Sequence, residues 1–158
     1  VVAQSVFFTL FTLLGRPMPD RGLAVESSTL ELVMTVALLS FTGVLLGLLV
    51  SNFAKTPEIA LPALVVITML QVVLSGAVPL RFDALAETLG TINPAYWAMN
   101  AMGATVDLNS LMGYSGSDEV LGWEATVSNW NFSLGVMAFY AFLLTALVLV
   151  LGQTKKAQ

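Results

Sequence analysis

Ser51–Leu80, SNFAKTPEIALPALVVITMLQVVLSGAVPL, decides the fold. It opens with a polar turn carrying Lys55 and Glu58, then runs without charge from Ile59 to Val78 and stops at Pro79. Glu58 through Val78 in helical conformation is roughly 31 Å long, about the thickness of a bilayer's hydrocarbon core. Pro57 and Pro62 fall at or near the first turn, where a missing amide donor costs least. The polar groups inside are Thr68, Gln71 and Ser75, followed by Gly76. Gln71 and Ser75 are four residues apart and share one helix face. The stretch reads as a membrane-spanning helix with one weakly polar stripe and a small-residue break near its far end.

Composition agrees. The chain is 57% hydrophobic and 10% charged, with mean hydropathy +0.86. A soluble domain carries about 25% charged residues, so this is the composition of an integral membrane protein. There is no cysteine and no histidine, which removes disulfides, thiolate chemistry and the usual zinc sites. No metal site and no catalytic residue is expected.

Upstream, Thr29–Val50 makes a complete span with one charge, Glu31, placed in the first turn where it suits a helix N-terminus at the interface. Gly43 and Gly47 are spaced G-x-x-x-G, either a packing seam or incidental glycines. Gly15–Ser28 is a polar connector. Val1–Leu14 reads as the end of a longer helix, and the chain as a C-terminal piece of a larger protein. Downstream, Phe82–Gly90 and Ala95–Leu108 read as two short helices separated by the breaker Asn93-Pro94. The acidic, glycine-rich Asn109–Ser128 reads as a solvated surface, without EF-hand spacing. The last span begins near Phe132 and ends near Leu151. The expected architecture is all-α and integral to the membrane. It has about four spans (1–14, truncated, 29–50, 59–78 and 132–151), with an external segment 79–131 holding two short re-entrant-type helices.

Lys55, Lys155 and Lys156 sit on two short segments of one side, whereas Arg16, Arg21 and Arg81 are spread along much longer connectors on the other. By the positive-inside rule the Ser51–Glu58 turn and the C-terminus are cytoplasmic and residues 79–131 external. Trp123 and Trp130 then fit an outer aromatic belt, although Trp130 packing against the loop is an equally open reading.

No phosphate-binding G-x-x-x-x-G-K-[ST] loop is present, and no Ser-His-Asp set is possible without histidine. Ion-coupled carriers place ionisable groups inside their spans. Here only Glu31 is charged within the complete spans, and it is terminal. Energy for any transport must come from a partner.

The order of features resembles the C-terminal half of the membrane domain of a type-2 ABC exporter of the G-type subfamily. Leu74-Ser75-Gly76, Ile92-Asn93-Pro94-Ala95-Tyr96-Trp97 and Ala104-Thr105-Val106-Asp107-Leu108 carry the resemblance. Bacterial members fused to a forkhead-associated domain are the most similar. The resemblance implies a permease whose third span lines a central cavity at a two-fold axis, with Thr68, Met69, Gln71, Val72 and Ser75 on the substrate pathway. Gln71 and Ser75 would otherwise only hydrogen-bond to neighbouring helices. It implies an exit gate at Leu74, Gly76, Ala77 and Val78, where many members carry bulkier leucines. It also implies an external re-entrant element around Asn93, Pro94, Tyr96 and Trp97. Where many members have an arginine beside this proline, the present chain has Ala95 and Tyr96. Lys55, Thr56 and Glu58 match a cytoplasmic coupling turn; otherwise Lys55 and Glu58 only anchor helix ends at the headgroups.

The partners implied are a nucleotide-binding domain carrying ATP and magnesium, a second copy of the membrane domain, and membrane lipids. No nucleic acid is expected. Eukaryotic members often staple the external loop with disulfides, so the absence of cysteine favours a bacterial inner membrane. The apolar slot suits a lipid, a glycolipid or a hydrophobic small molecule. The runner-up is a non-transporting membrane scaffold whose external segment binds a partner protein.

Overall fold

A computed structural model describes residues 1–14, 22–54, 56–77, 84–116 and 120–156. The chain is all-helical, with no strand among the described residues. In order come α1 (Val2–Leu13), α2 (Ser28–Phe53), α3 (Pro57–Val73), α4 (Ala84–Thr91), α5 (Pro94–Thr105), α6 (Leu108–Met112), a single 3-10 turn (Leu121–Trp123) and α7 (Val127–Lys156). Of the expected spans, α2 and the Val127–Gln153 part of α7 are long and apolar enough to cross a bilayer. The helices α1 and α3 are shorter apolar helices of 12 and 17 residues.

The two long helices meet at a small apolar core of Leu45, Ala141 and Leu144 and leave large apolar side chains exposed as well. On α2 the buried positions include Ser28, Glu31, Thr35 and Thr42, whereas Leu30, Met34, Phe41 and Leu48 are exposed. On α7, Trp130, Ser133, Met137, Ala141 and Leu144 are buried, whereas Phe139, Phe142, Leu147 and Val150 are exposed. In water this exposed apolar surface would be costly; in an apolar medium it costs nothing. The buried hydroxyls are satisfied locally. Thr35 Oγ1 donates to the Glu31 carbonyl at 2.9 Å, Thr42 Oγ1 to the Leu38 carbonyl at 2.8 Å, and Thr145 Oγ1 to the Ala141 carbonyl at 2.7 Å. Back-bonding of this kind is how a membrane helix carries threonine without an unpaired donor.

The packing centre is α5, wedged between α2 and α7. Ala98, Ala101 and Ala104 are fully buried, and Gly103 lies against Trp123, where an added Cβ would come within 2.7 Å of Trp123 Cδ1. Small residues at every turn let α5 approach both long helices closely. Trp123 in turn stacks on Tyr114, with ring centroids 6.4 Å apart and 11° between planes. Both Trp123 and Trp130 are therefore buried. Trp123 packs on the small-residue surface that Gly103 gives α5. Trp130 Nε1 is buried with no acceptor among the described residues.

Most of the described positions in 107–124 are exposed or half-exposed, as the acidic composition suggests, and Asn109 and Trp123 are buried. Asn109 is buried and clamps the backbone at Val120, its Nδ2 donating to the Val120 carbonyl at 3.0 Å and its Oδ1 accepting from the Val120 amide at 3.1 Å. Asp107 is exposed and takes a left-handed conformation, φ 50°, before α6. Asp118 and Glu119 lie outside the described residues.

Several helix boundaries differ from the sequence reading. The helix α5 begins at Pro94 rather than Ala95 and stops at Thr105, with α6 following. The final helix starts at Val127, five residues before Phe132. The third apolar helix stops at Val73, well short of Val78. There the Ser75 hydroxyl donates to the Val72 carbonyl at 2.8 Å and accepts from the Ala77 amide at 3.2 Å, and Gly76 takes φ +79°. A serine competing for a helix-end carbonyl, followed by a residue free to adopt positive φ, ends a helix.

Candidate functional site

The elements of interest meet where α3 ends and α5 begins. Because α3 stops early, the Gln71 carbonyl is one of its orphan acceptors: the Ser75 amide turns to Val72 instead, at 3.4 Å. Asn93 fills the vacancy. Its Nδ2 donates to the Gln71 carbonyl at 2.9 Å, while its Oδ1 accepts from the Ala95 amide at 3.1 Å. One buried side chain thus caps the C-terminus of α3 and the N-terminus of α5 together, with Pro94 occupying the first helical position of α5.

The surrounding backbone is fitted tightly. Gly90 is buried, and a Cβ there would meet the Tyr96 ring at 3.1 Å and the Leu74 carbonyl at 3.3 Å. The Thr91 carbonyl accepts from Trp97 Nε1 at 2.8 Å and from Tyr140 Oη at 3.2 Å. Trp97 also makes edge-to-face contacts with Tyr96 and Phe132, with centroids 5.3 and 5.4 Å apart. The non-helical bend between α4 and α5 is thus held by hydrogen bonds at Thr91 and Asn93 with the Tyr96 and Trp97 rings beside it, while Thr91 and Ile92 stay exposed.

The structure brings together Gln71, Leu74, Asn93 and Pro94, which line one cavity, and sets Tyr96 against Gly76 and Gly90. It divides the expected pathway residues into two faces of α3. Thr68, Met69 and Val72 are exposed, Met69 at 64%, and the Thr68 hydroxyl is back-bonded to the Leu64 carbonyl at 2.8 Å. Gln71 belongs to the half-buried stripe Ala60, Leu64, Ile67, Gln71, Leu74 that faces α2 and α5. Ser75 is buried and engaged with its own chain end. Ala77 is exposed, and Val78 lies outside the described residues. At the other end of α3, Thr56 is its exposed N-cap residue and Glu58 lies in the first turn, where a carboxylate favours the positive helix end. Lys55 lies outside the described residues.

Glu31 has partners that the sequence reading did not foresee. It lies in the first turn of α2, as expected, and is fully buried, at 0% exposure. Its Oε1 accepts from the Ala24 amide at 2.7 Å and the Val25 amide at 3.0 Å, and its Oε2 from Thr105 Oγ1 at 3.0 Å. Gly22 lies beside the carboxylate, where an added Cβ would meet Oε1 at 2.8 Å. Glu31 thereby joins α2, the 22–25 loop and the end of α5. A lone acid in the first turn of an apolar helix gives the same sequence signal whether it faces headgroups or a folded loop. Only the position of Thr105, distant in sequence, separates the two. Among the described residues no cluster of acidic, histidine or cysteine side chains is built to hold a metal.

An all-helical chain with two helices long and apolar enough to span a bilayer, both exposing large apolar side chains, belongs to the class of integral membrane proteins. Within that class, the chain is 33% identical over 138 residues to an ABC transporter ATP-binding/permease protein of Mycobacterium tuberculosis, a match covering 86% of this chain and 16% of the relative. The similarity supports an ABC transporter membrane domain. No family model matches the chain, and no solved structure does.

Proposed function

We propose that this chain is the C-terminal part of the membrane domain of an ATP-driven exporter of the G-type subfamily, with four crossings to which α1 and α3 contribute. The observation that carries the reading is the 33% identity to an ABC transporter ATP-binding/permease protein along 86% of the chain. The fold supports it in one further respect. The helix α3 leaves Ile59, Val65, Met69 and Val72 more than half exposed, the surface a second copy would need in order to enclose a slot.

Thr68, Met69 and Val72 are the pathway face in this reading, and Leu74 to Val78, braced by Asn93 and Tyr96, form the exit. The segment holds no catalytic residue; ATP and magnesium belong to a nucleotide-binding partner that pushes on the Lys55–Glu58 turn. A face without charge suits a lipid, a glycolipid or a hydrophobic small molecule. The C-terminus is cytoplasmic, residues 79–131 are external, and the membrane is a bacterial inner membrane.

The test is vanadate-sensitive ATP hydrolysis by the intact native protein in lipid nanodiscs, with and without Met69→Ala. Hydrolysis whose response to apolar compounds changes with Met69→Ala supports the reading. Intact complex without ATPase activity overturns it and favours a scaffold acting through its external segment.

A further inference from the structure

The cavity lined by Gln71, Leu74, Asn93 and Pro94 includes none of Thr68, Met69 and Val72. It has a volume of 280 Å³ and lies between α2, α3 and the Leu89–Pro94 turn, walled by Leu46, Ile67, Leu70 and Ile92 with Gln71 and Asn93 at one side. Asn93 is committed to the two helix caps. Gln71 uses its backbone carbonyl for Asn93, while its side-chain amide makes no hydrogen bond with the described residues. Gln71 is half-buried and lines the cavity, so its side-chain amide is open to a ligand there, and one hydrogen bond to it is worth about 1 kcal/mol.

The dimensions and the chemistry select the occupant. No charged residue lines the cavity, so nothing there neutralises a phosphate or ammonium headgroup. The volume lies just under the ~300–1,000 Å³ of sites for drug-sized ligands. The larger groove between α1, α2 and α7, 610 Å³, is lined by apolar side chains and Gly135 and offers no group to orient a ligand.

We infer that this cavity binds a small uncharged amphipath, its apolar body against Leu46, Ile67 and Ile92 and its single hydroxyl or carbonyl on the Gln71 amide. The site does not depend on the transport reading. Its occupant would touch both residues of the α3–α5 tether, Gln71 and Asn93.

The experiment is photolabelling of the full-length protein in phosphatidylcholine nanodiscs. The probes are an eight-carbon alcohol carrying a diazirine and the corresponding diazirine alkane, with labelled peptides read by mass spectrometry. The expected result is saturable alcohol labelling of the Leu46, Ile67 and Ile92 peptides, displaced by 1-octanol. Gln71→Leu should lower alcohol labelling about fivefold, the worth of one hydrogen bond, and leave alkane labelling unchanged. The Asn93 cap survives that substitution, since it uses the Gln71 backbone. Ile67→Phe should reduce labelling by both probes. Labelling that does not saturate, that falls equally on the Met69–Val72 face, or that ignores Gln71→Leu overturns the proposal. All of these readouts are independent of ATP hydrolysis, so failure here and failure of the exporter reading are distinguishable.

Discussion

The helices α3 and α5 are built in opposite ways. The first is the more apolar and, at 17 residues, the longer, yet none of its helical positions is fully buried and its large side chains face outward. The second has 12 residues, cannot cross a bilayer, and is buried along most of its length by alanine, glycine and hydrogen-bonded polar groups. The contrast follows from the medium. In an apolar solvent, hydropathy identifies what lipid tolerates, while close packing and hydrogen bonds decide what holds helices together. The body of the chain is therefore α2, α5 and α7, and α3 is an arm tied to it at one end by Asn93.

The comparison breaks most easily at Glu31. Glu31→Ala removes the acceptor for two amides and a hydroxyl around a fully buried site, so a loss of about 3 kcal/mol is expected. Glu31→Gln keeps one oxygen for the Ala24 and Val25 amides and should lose less. Thermal unfolding of the full protein, followed by size-exclusion fluorescence, checks the order. On α3, Met69→Ala should cost far less than Glu31→Ala; equal losses would mean that the arm is part of the body. Next is Gly103→Ala, which drives a methyl to 2.7 Å from the Trp123 ring. Overpacking of this kind costs about 1–3 kcal/mol, and the displaced Trp123 should show a red-shifted fluorescence maximum.

Asn93 sharpens the comparison rather than breaking it. Asn93→Ala loses both caps, worth about 1 kcal/mol for the α5 end alone. Asn93→Asp keeps the acceptor for the Ala95 amide but cannot donate to the Gln71 carbonyl. Hydrogen exchange should therefore quicken in residues 70–77 in both variants, and at Ala95 in Asn93→Ala only. Exchange within α2 and α7 should be unchanged in both, since the tether lies outside the body.

How much of this was legible depends on the range of the interaction. The membrane class and the helices themselves follow from local composition, as does the break at Asn93-Pro94, because a proline and a cap residue act within a few positions. The early end of α3 was half legible. Ser75 and Gly76 announce a break, but only the arrival of Asn93 from 22 residues away supplies the donor that the freed carbonyl needs. The Glu31–Thr105 bond spans 74 residues, and nothing near either residue marks it. The division of Met69 from Gln71 also depends on partners: a helical repeat places them on different faces but does not say which face meets α2.

The smallest effect belongs to the glycines of α2. A Cβ at Gly43 or Gly47 would meet nothing within 4 Å, so the G-x-x-x-G spacing forms no seam among the described residues. Gly43→Ala and Gly47→Ala should leave the fold intact and favour the helix by up to about 1 kcal/mol each through propensity alone. Replacing both with leucine separates two uses of that bare face. If it contacts only lipid, the doubly substituted protein should run at the same oligomeric size as the parent and melt at the same or a higher temperature. If another helix of the assembled protein packs there, the bulky residues should split the assembly while the body of α2, α5 and α7 stays folded. The outer side of α2 would then be an arm's surface of the same kind as α3, awaiting a partner rather than facing solvent lipid.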